Sequence, residues 1–200
     1  MNARLLRAAD YRRMRWQNGA GWTTELARAS SPEANAAFDW RISIAEVESD
    51  GAFSVFPDCD RYIALLEGAG MRIAFDDGDE IELEQRLKFF AFNGERNAHG
   101  YLRAGPVRDF NVIVKRERCT AEVLVRPLVG PMVFLPEPMT TWFVYLAAGN
   151  AVLKDSGDIE LSAGESLLLE PGEPRHNHVL NGGGEVVLVK LVAQDARVGR

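Results

Sequence analysis

Gly78-Asp79-Glu80-Ile81-Glu82-Leu83 is echoed by Ser156-Gly157-Asp158-Ile159-Glu160-Leu161, with Ile81 and Ile159 78 positions apart. The same offset carries Phe89-Phe90 onto Leu167-Leu168 and Gly94-Glu95 onto Gly172-Glu173. Gly70 and Gly149 match at 79, and Val112-Ile113-Val114-Lys115 matches Val187-Leu188-Val189-Lys190 at 75. Offsets that hold along apolar runs and slip at turns are what a duplicated β domain shows, because loops absorb insertions. The runs themselves alternate with a period of two. Trp40, Ile42 and Ile44 share one face of Trp40–Val47, and Arg41, Ser43 and Ala45 share the other. Tyr62–Glu67 and Met71–Phe75 flank Gly68-Ala69-Gly70, a hairpin signal. Phe110–Lys115, Thr141–Leu146, Ser166–Leu169 and Glu185–Ala193 read as further strands. Helical spacing is weak and confined to Leu5–Arg15. The expected fold class is all-β, two barrels in tandem with little helix: residues 1–125, residues 126–195, and a tail over 196–200.

Bulk composition fits that class. Of 200 residues 46% are hydrophobic, enough for a sizeable core. A net charge of −6 disfavours nucleic acid and anionic lipid as partners. No apolar run is long enough to span a bilayer, and the Arg-rich Met1–Arg15 segment has no continuous apolar stretch of the secretory kind, so a cytoplasmic protein is expected. Cys59 and Cys119 form no metal or redox motif and are read as free thiols.

The stretch Gly164-Glu165-Ser166-Leu167-Leu168-Leu169-Glu170-Pro171-Gly172-Glu173-Pro174-Arg175-His176, followed by Asn181, resembles the second cupin motif with its spacing one residue off. Two cupin-like barrels, a bicupin, would account for the length and the repeat. The first half carries a more specific resemblance. Trp16-Gln17-Asn18-Gly19-Ala20-Gly21-Trp22-Thr23-Thr24-Glu25 is similar to the opening motif of the HutD/Ves family. Trp40-Arg41-Ile42-Ser43-Ile44-Ala45-Glu46-Val47 resembles its W-R-x-S-x-A-x-V strand. Gly51-Ala52-Phe53-Ser54-Val55-Phe56-Pro57-Asp58-Cys59-Asp60-Arg61 resembles its G-x-F-S-x-F-P-G-x-D-R motif, with Asp58 where the family usually has glycine. Arg108-Asp109-Phe110-Asn111-Val112 resembles its D-[LF]-N strand. The resemblance implies a bicupin without an established catalytic activity. It also implies a small carboxylate ligand such as formylglutamate or urocanate, and a regulatory link to histidine utilisation or, in the Ves branch, to stress.

The candidate ligand-binding residues are Arg61, Arg41, Ser43, Asn111, Asn18, Glu25 and Ser54. Guanidinium grips a carboxylate bidentately, and Arg61 is the main anchor. Structural pairs, Arg61 with Asp60 or Arg41 with Glu25, are the competing reading, as is an Arg41 facing solvent. Asn111 interrupts an apolar strand, so its amide must find partners, either a ligand or a network. Asn18 and Glu25 flank the turn at Gly19 and Gly21 and could line the barrel mouth. Ser54 lacks a nucleophile elbow, and no catalytic residue is assigned. His176 and His178, at i and i+2, could share a divalent ion only with a third ligand such as Glu170 or Glu173. Two surface or loop histidines are the preferred reading, and His99 is read as part of a polar turn. No cofactor is expected. The alternative is a cupin enzyme, using metal at His176/His178 or working metal-free as an isomerase or lyase through Glu25 and Arg61. Open β edges permit a homodimer without demanding one.

Overall fold

A computed structural model describes residues 1–30, 38–154, 157–173 and 176–194. The tail over 196–200, Ser156 of the repeat, and Pro174-Arg175 of the cupin-like motif lie outside these. The chain divides into two units, Arg12–Cys119 and a second made of Met1–Tyr11 with Thr120–Arg200. The N-terminal residues therefore do not belong to the first barrel, as the 1–125 division has it. The reason is strand pairing: β1 (Asn2–Leu6) runs antiparallel to Ser166–Glu170. Leu5–Arg15 is not helical. It runs from β1 through a 3-10 turn at Ala8–Asp10 into β2 (Arg12–Arg15), because long-range pairing outweighs a weak local preference.

Within Arg12–Cys119 the order continues with β3 (Gly21–Ala29), β4 (Trp40–Val47), β5 (Gly51–Ala52) and β6 (Cys59–Glu67). After these come β7 (Met71–Phe75), β8 (Glu80–Leu83), β9 (Phe90–Asn93), β10 (Ala98–Leu102) and β11 (Val107–Lys115). They form a six-stranded sheet, β2-β3-β4-β11-β6-β9, and a four-stranded sheet, β5-β10-β7-β8. One apolar cluster joins the two: Ala45, Val47, Ile63, Leu65 and Val107 from the larger sheet meet Met71, Ile73, Phe75, Leu83 and Ala98 from the smaller. Each Leu, Ile, Val or Met buried in this way contributes about 1.5–3 kcal/mol. β6 and β7 lie in different sheets, so Gly68-Ala69-Gly70 is a passage between sheets and not a hairpin. Gly68 and Gly70 have φ of 106° and 108°, which serve this corner as readily as a hairpin turn. His99 sits in strand β10, paired with Ala52 and Ala74, and not in a turn.

The second unit adds β12 (Cys119–Phe134), β13 (Thr140–Lys154), β14 (Ile159–Ser162), β15 (Ser166–Glu170) and β16 (His178–Ala193). Their sheet runs β1-β15-β13-β16-β12, with β14 on the far half of β13. β13 pairs with β15 and β16 as β6 pairs with β9 and β11, which gives the sequence repeat its counterpart in topology. The interior here is filled by Val144, Leu146, Leu153, Leu167, Leu169, Leu180 and Leu188, with Met1 and Phe134. The fold is the expected one, all-β and built of tandem cupin-like barrels. No helix among the described residues is long and apolar enough to cross a membrane.

Candidate functional site

β4, β11 and β6 lie side by side, and their inward row changes character along its length. Ala45, Val47, Ile63, Leu65 and Val107 make the apolar end. Further along, Ser43 stands opposite Asn111, and Ile113 stands between Arg41 and Arg61. Here the sheet opens into a cavity of about 470 Å³. Arg41, Ser43, Arg61 and Asn111 line it, as do Asn18 and Ser54 from the flanking loops. Six of the seven residues expected from the sequence thus share one concave surface.

Arg61 is the deep cation, only 6% exposed. Its Nε and Nη2 donate to Asn111 Oδ1 at 3.0 and 2.6 Å. Rings surround the guanidinium: Phe53 at 4.7 Å, Phe92 at 5.4 Å and Phe56 at 5.9 Å from Cζ to centroid. Such cation–π contacts suit arginine, whose planar head is weakly hydrated. Asn111 turns its other end inward, where Nδ2 donates to Asp109 Oδ1. Asp109 is fully buried opposite Ala45 and Leu65, one step deeper into the apolar end. Burial raises its carboxyl to about 6, against the pull of Arg61 and of the Asn111 hydrogen bond. Burial likewise lowers Arg61 to about 10, opposed by Asp109 and reinforced by Arg41. A neutral amide therefore separates cation from carboxylate, and Asp60, the alternative partner of Arg61, pairs instead with Arg116 at 2.8 Å.

Arg41 is held differently. Its Nε lies 3.2 Å from Glu25 Oε2, and the same carboxylate reaches Arg28 at 3.6 Å. The Arg41–Glu25 pair anticipated as a structural reading is therefore present. It is an ion pair without an aligned hydrogen bond, since Arg41 Nε is buried and has no hydrogen-bond partner. Desolvation lowers the Arg41 guanidinium pKa, and Glu25 offsets part of that effect. Glu25 is the one expected residue that does not line the cavity; it stands opposite Ser43 in the β3–β4 register, just before a register shift, and its carboxylate is taken up by Arg41 and Arg28.

The rim is a tight turn. Gly19 has φ of 73°, and Asn18 Oδ1 accepts from the Ala20 backbone N–H at 3.0 Å, so this side chain is spent partly on the turn. A Cβ on Gly21 would come within 2.2 Å of Glu46 O, so only glycine allows β3 to lie this close to β4. Trp16 Nε1 donates to Thr23 Oγ1 at 2.8 Å and both residues line the cavity, as do Phe53, Phe56 and Arg15. Sequence reasoning did not single these out as contacts, although Phe53 and Phe56 stand in a motif it quoted. Asp109 was also passed over; its signal was position, i−2 from Asn111 and hence on the same face. Among the described residues the lining holds three arginines and no Asp or Glu.

The histidine pair lies in the other unit. His178 is 1% exposed, and its Nε2 is 3.0 Å from Met1 O, so it is not a surface histidine. His176 packs against it with ring centroids 4.8 Å apart. Among the described residues no three His, Cys, Asp or Glu side chains are grouped to hold a metal, so Glu170 and Glu173 do not complete a site there.

A family model described as HutD matches residues 8–188. An uncharacterized 21.2 kDa protein from the hutC 3′ region of Pseudomonas putida is 44% identical over 121 residues, 60% of this chain and 62% of that protein. Protein Ves of Escherichia fergusonii is 37% identical over 55% of this chain and 56% of its own length. The matches thus span less than two thirds of these curated relatives. Among solved structures, HutD from Pseudomonas fluorescens SBW25 in a formate condition superposes with a TM-score of 0.82 at 30% identity, over 97% of this chain and all of that one. A conserved protein of unknown function from Pseudomonas aeruginosa PAO1 gives 0.81 at 32%, with the same coverage. A nickel(II)-bound bacterial pirin from Escherichia coli, at 10% identity and 0.71, shares the fold alone.

Proposed function

This chain belongs to the HutD family, and from that premise we propose that it is a cytoplasmic, non-catalytic accessory protein that binds a small organic carboxylate in its Arg12–Cys119 barrel. The observation that carries the reading is Arg61, buried at the wall of a cavity lined, among the described residues, by three guanidinium groups and no carboxylate. A buried cation whose hydrogen bonds among the described residues both end on one amide oxygen keeps donor capacity for an anion. In this reading Arg61 grips the carboxylate, Asn111 fixes the guanidinium plane, Ser43 and Ser54 offer hydroxyls, and Arg41 adds positive potential. Similarity to a protein from the hutC 3′ region supports a place in histidine utilisation, hence formylglutamate and urocanate as candidate ligands.

The test is calorimetric titration of the full chain with formylglutamate, urocanate, glutamate and formate, the last because it names the condition of the similar HutD structure. One of the four should bind saturably, and Arg61→Met should weaken it about a hundredfold, the scale of a lost charge-assisted pair. Silence from all four, or equal affinity in Arg61→Met, overturns the proposal.

A further inference from the structure

Beside the cavity lies a buried ionisable group, Asp109, that the ligand does not touch. Asp109 is fully buried, and its Oδ2 has no hydrogen-bond partner. It does not line the cavity, yet only the Asn111 amide stands between it and Arg61. A structural carboxylate at this depth would ordinarily be bonded at both oxygens or joined to its cation directly. Here the geometry leaves Asp109 poised to respond to the charge beyond Asn111.

We propose that Asp109 makes anion binding at Arg61 proton-linked: an incoming carboxylate takes over the attraction of the guanidinium, and Asp109, now facing a second negative charge across Asn111, takes up a proton on Oδ2. The charge balance closes, since one anion and one proton enter together and Arg61 stays cationic. Asp109 is a positioning residue here, acting through Asn111 without touching the ligand.

The surroundings assign the proton to Asp109. Around it, β6 presents Arg61 and β4 presents Arg41, and Glu25 of β3 is paired with Arg41 and Arg28. On β11 itself Arg108 is paired with Glu67. Among the described residues no histidine lines the cavity. The Asp109 carboxyl lies at about 6 in the free protein, so the response falls within an accessible range. Linkage then fixes the sign: the bound state holds more protons, so affinity rises as pH falls, by at most tenfold per unit for one proton.

This inference rests on the carboxylate-binding reading, and the experiment separates the two. Formate and formylglutamate, neither of which titrates near neutrality, are titrated into the full chain between pH 5.5 and 8. The measurements are repeated in buffers of different ionisation enthalpy. Binding about tenfold tighter at pH 5.5 than at 8, with proton uptake visible as a buffer-dependent heat, supports the proposal. In Asp109→Asn, which keeps an acceptor for Asn111, binding persists but both signatures vanish. Buffer-independent, pH-independent binding by the wild-type protein overturns the proton link and leaves the anion site standing. No binding of either acid at any pH removes both. The wild-type buffer series needs no variant, so misfolding of Asp109→Asn would not rescue the proposal.

Discussion

Replacing Asn111 by leucine keeps roughly the same volume and removes the one group that reconciles a buried cation with a buried carboxylate. Two N–H bonds from Arg61 end on Asn111 Oδ1, and the Asn111 amide supplies the bond to Asp109. A hydrogen bond to a charged group is worth about 1.5–3 kcal/mol, and breaking a buried charged network costs about 3–5 kcal/mol because the survivors are left unpaired. Added apolar contact from leucine returns about 1 kcal/mol. The expected net loss is about 3 kcal/mol. In urea unfolding, with a slope near 2 kcal/mol per molar, the midpoint should fall by about 1.5 M with the slope unchanged. Arg61→Met combined with Asn111→Leu removes the stranded cation as well. The pair should be less destabilising than the sum of the single changes, by about 1–2 kcal/mol. A midpoint shift below about 0.3 M for Asn111→Leu, or strict additivity in the pair, would refute the claim that this amide mediates between the charges.

Asn111→Asp sets a carboxylate directly on the Arg61 guanidinium, filling the place of an incoming anion. Calorimetry should show binding of formylglutamate weakened at least about tenfold while the protein stays folded; undiminished affinity contradicts the site. For pH, Asp109 lies at about 6 in the folded chain against 3.8 as a free side chain, so folding favours its neutral form. The stability this confers is fully present below 3.8 and is lost as pH rises through about 6. The stability difference between wild type and Asp109→Asn should therefore change across that window and flatten above it, as read from urea midpoints. Gly21→Ala forces a Cβ to within 2.2 Å of Glu46 O, so β3 and β4 must separate. A loss of about 2–3 kcal/mol is expected, seen as a drop of several degrees in the thermal melt.

Local pattern made much of this legible. The alternation in Trp40–Val47 matches the bounds of β4, and Asn111 stood out because an amide inside an apolar strand demands partners. Asp109 was equally visible two residues earlier, but its importance comes from depth, set by Ala45 and Leu65 on neighbouring strands. No local signal carries that. Glu25 is expected at the mouth from its nearness to the Gly19 and Gly21 turn, but its carboxylate is taken up by Arg41 and Arg28, a pairing that proximity to a turn does not encode. Gly68-Ala69-Gly70 misled for a related reason, since positive φ serves a corner between sheets as well as a hairpin. The pairing of β1 with β15 joins residues more than 150 positions apart, which periodicity does not encode.

A crystal of the full chain soaked in formylglutamate puts the central claim to its plainest trial. The expected result is ligand density in the cavity, with a carboxylate about 3 Å from the Arg61 guanidinium and the Asn111 hydrogen bonds retained. A cavity holding only water at saturating ligand, with the acid bound elsewhere or not at all, would contradict it.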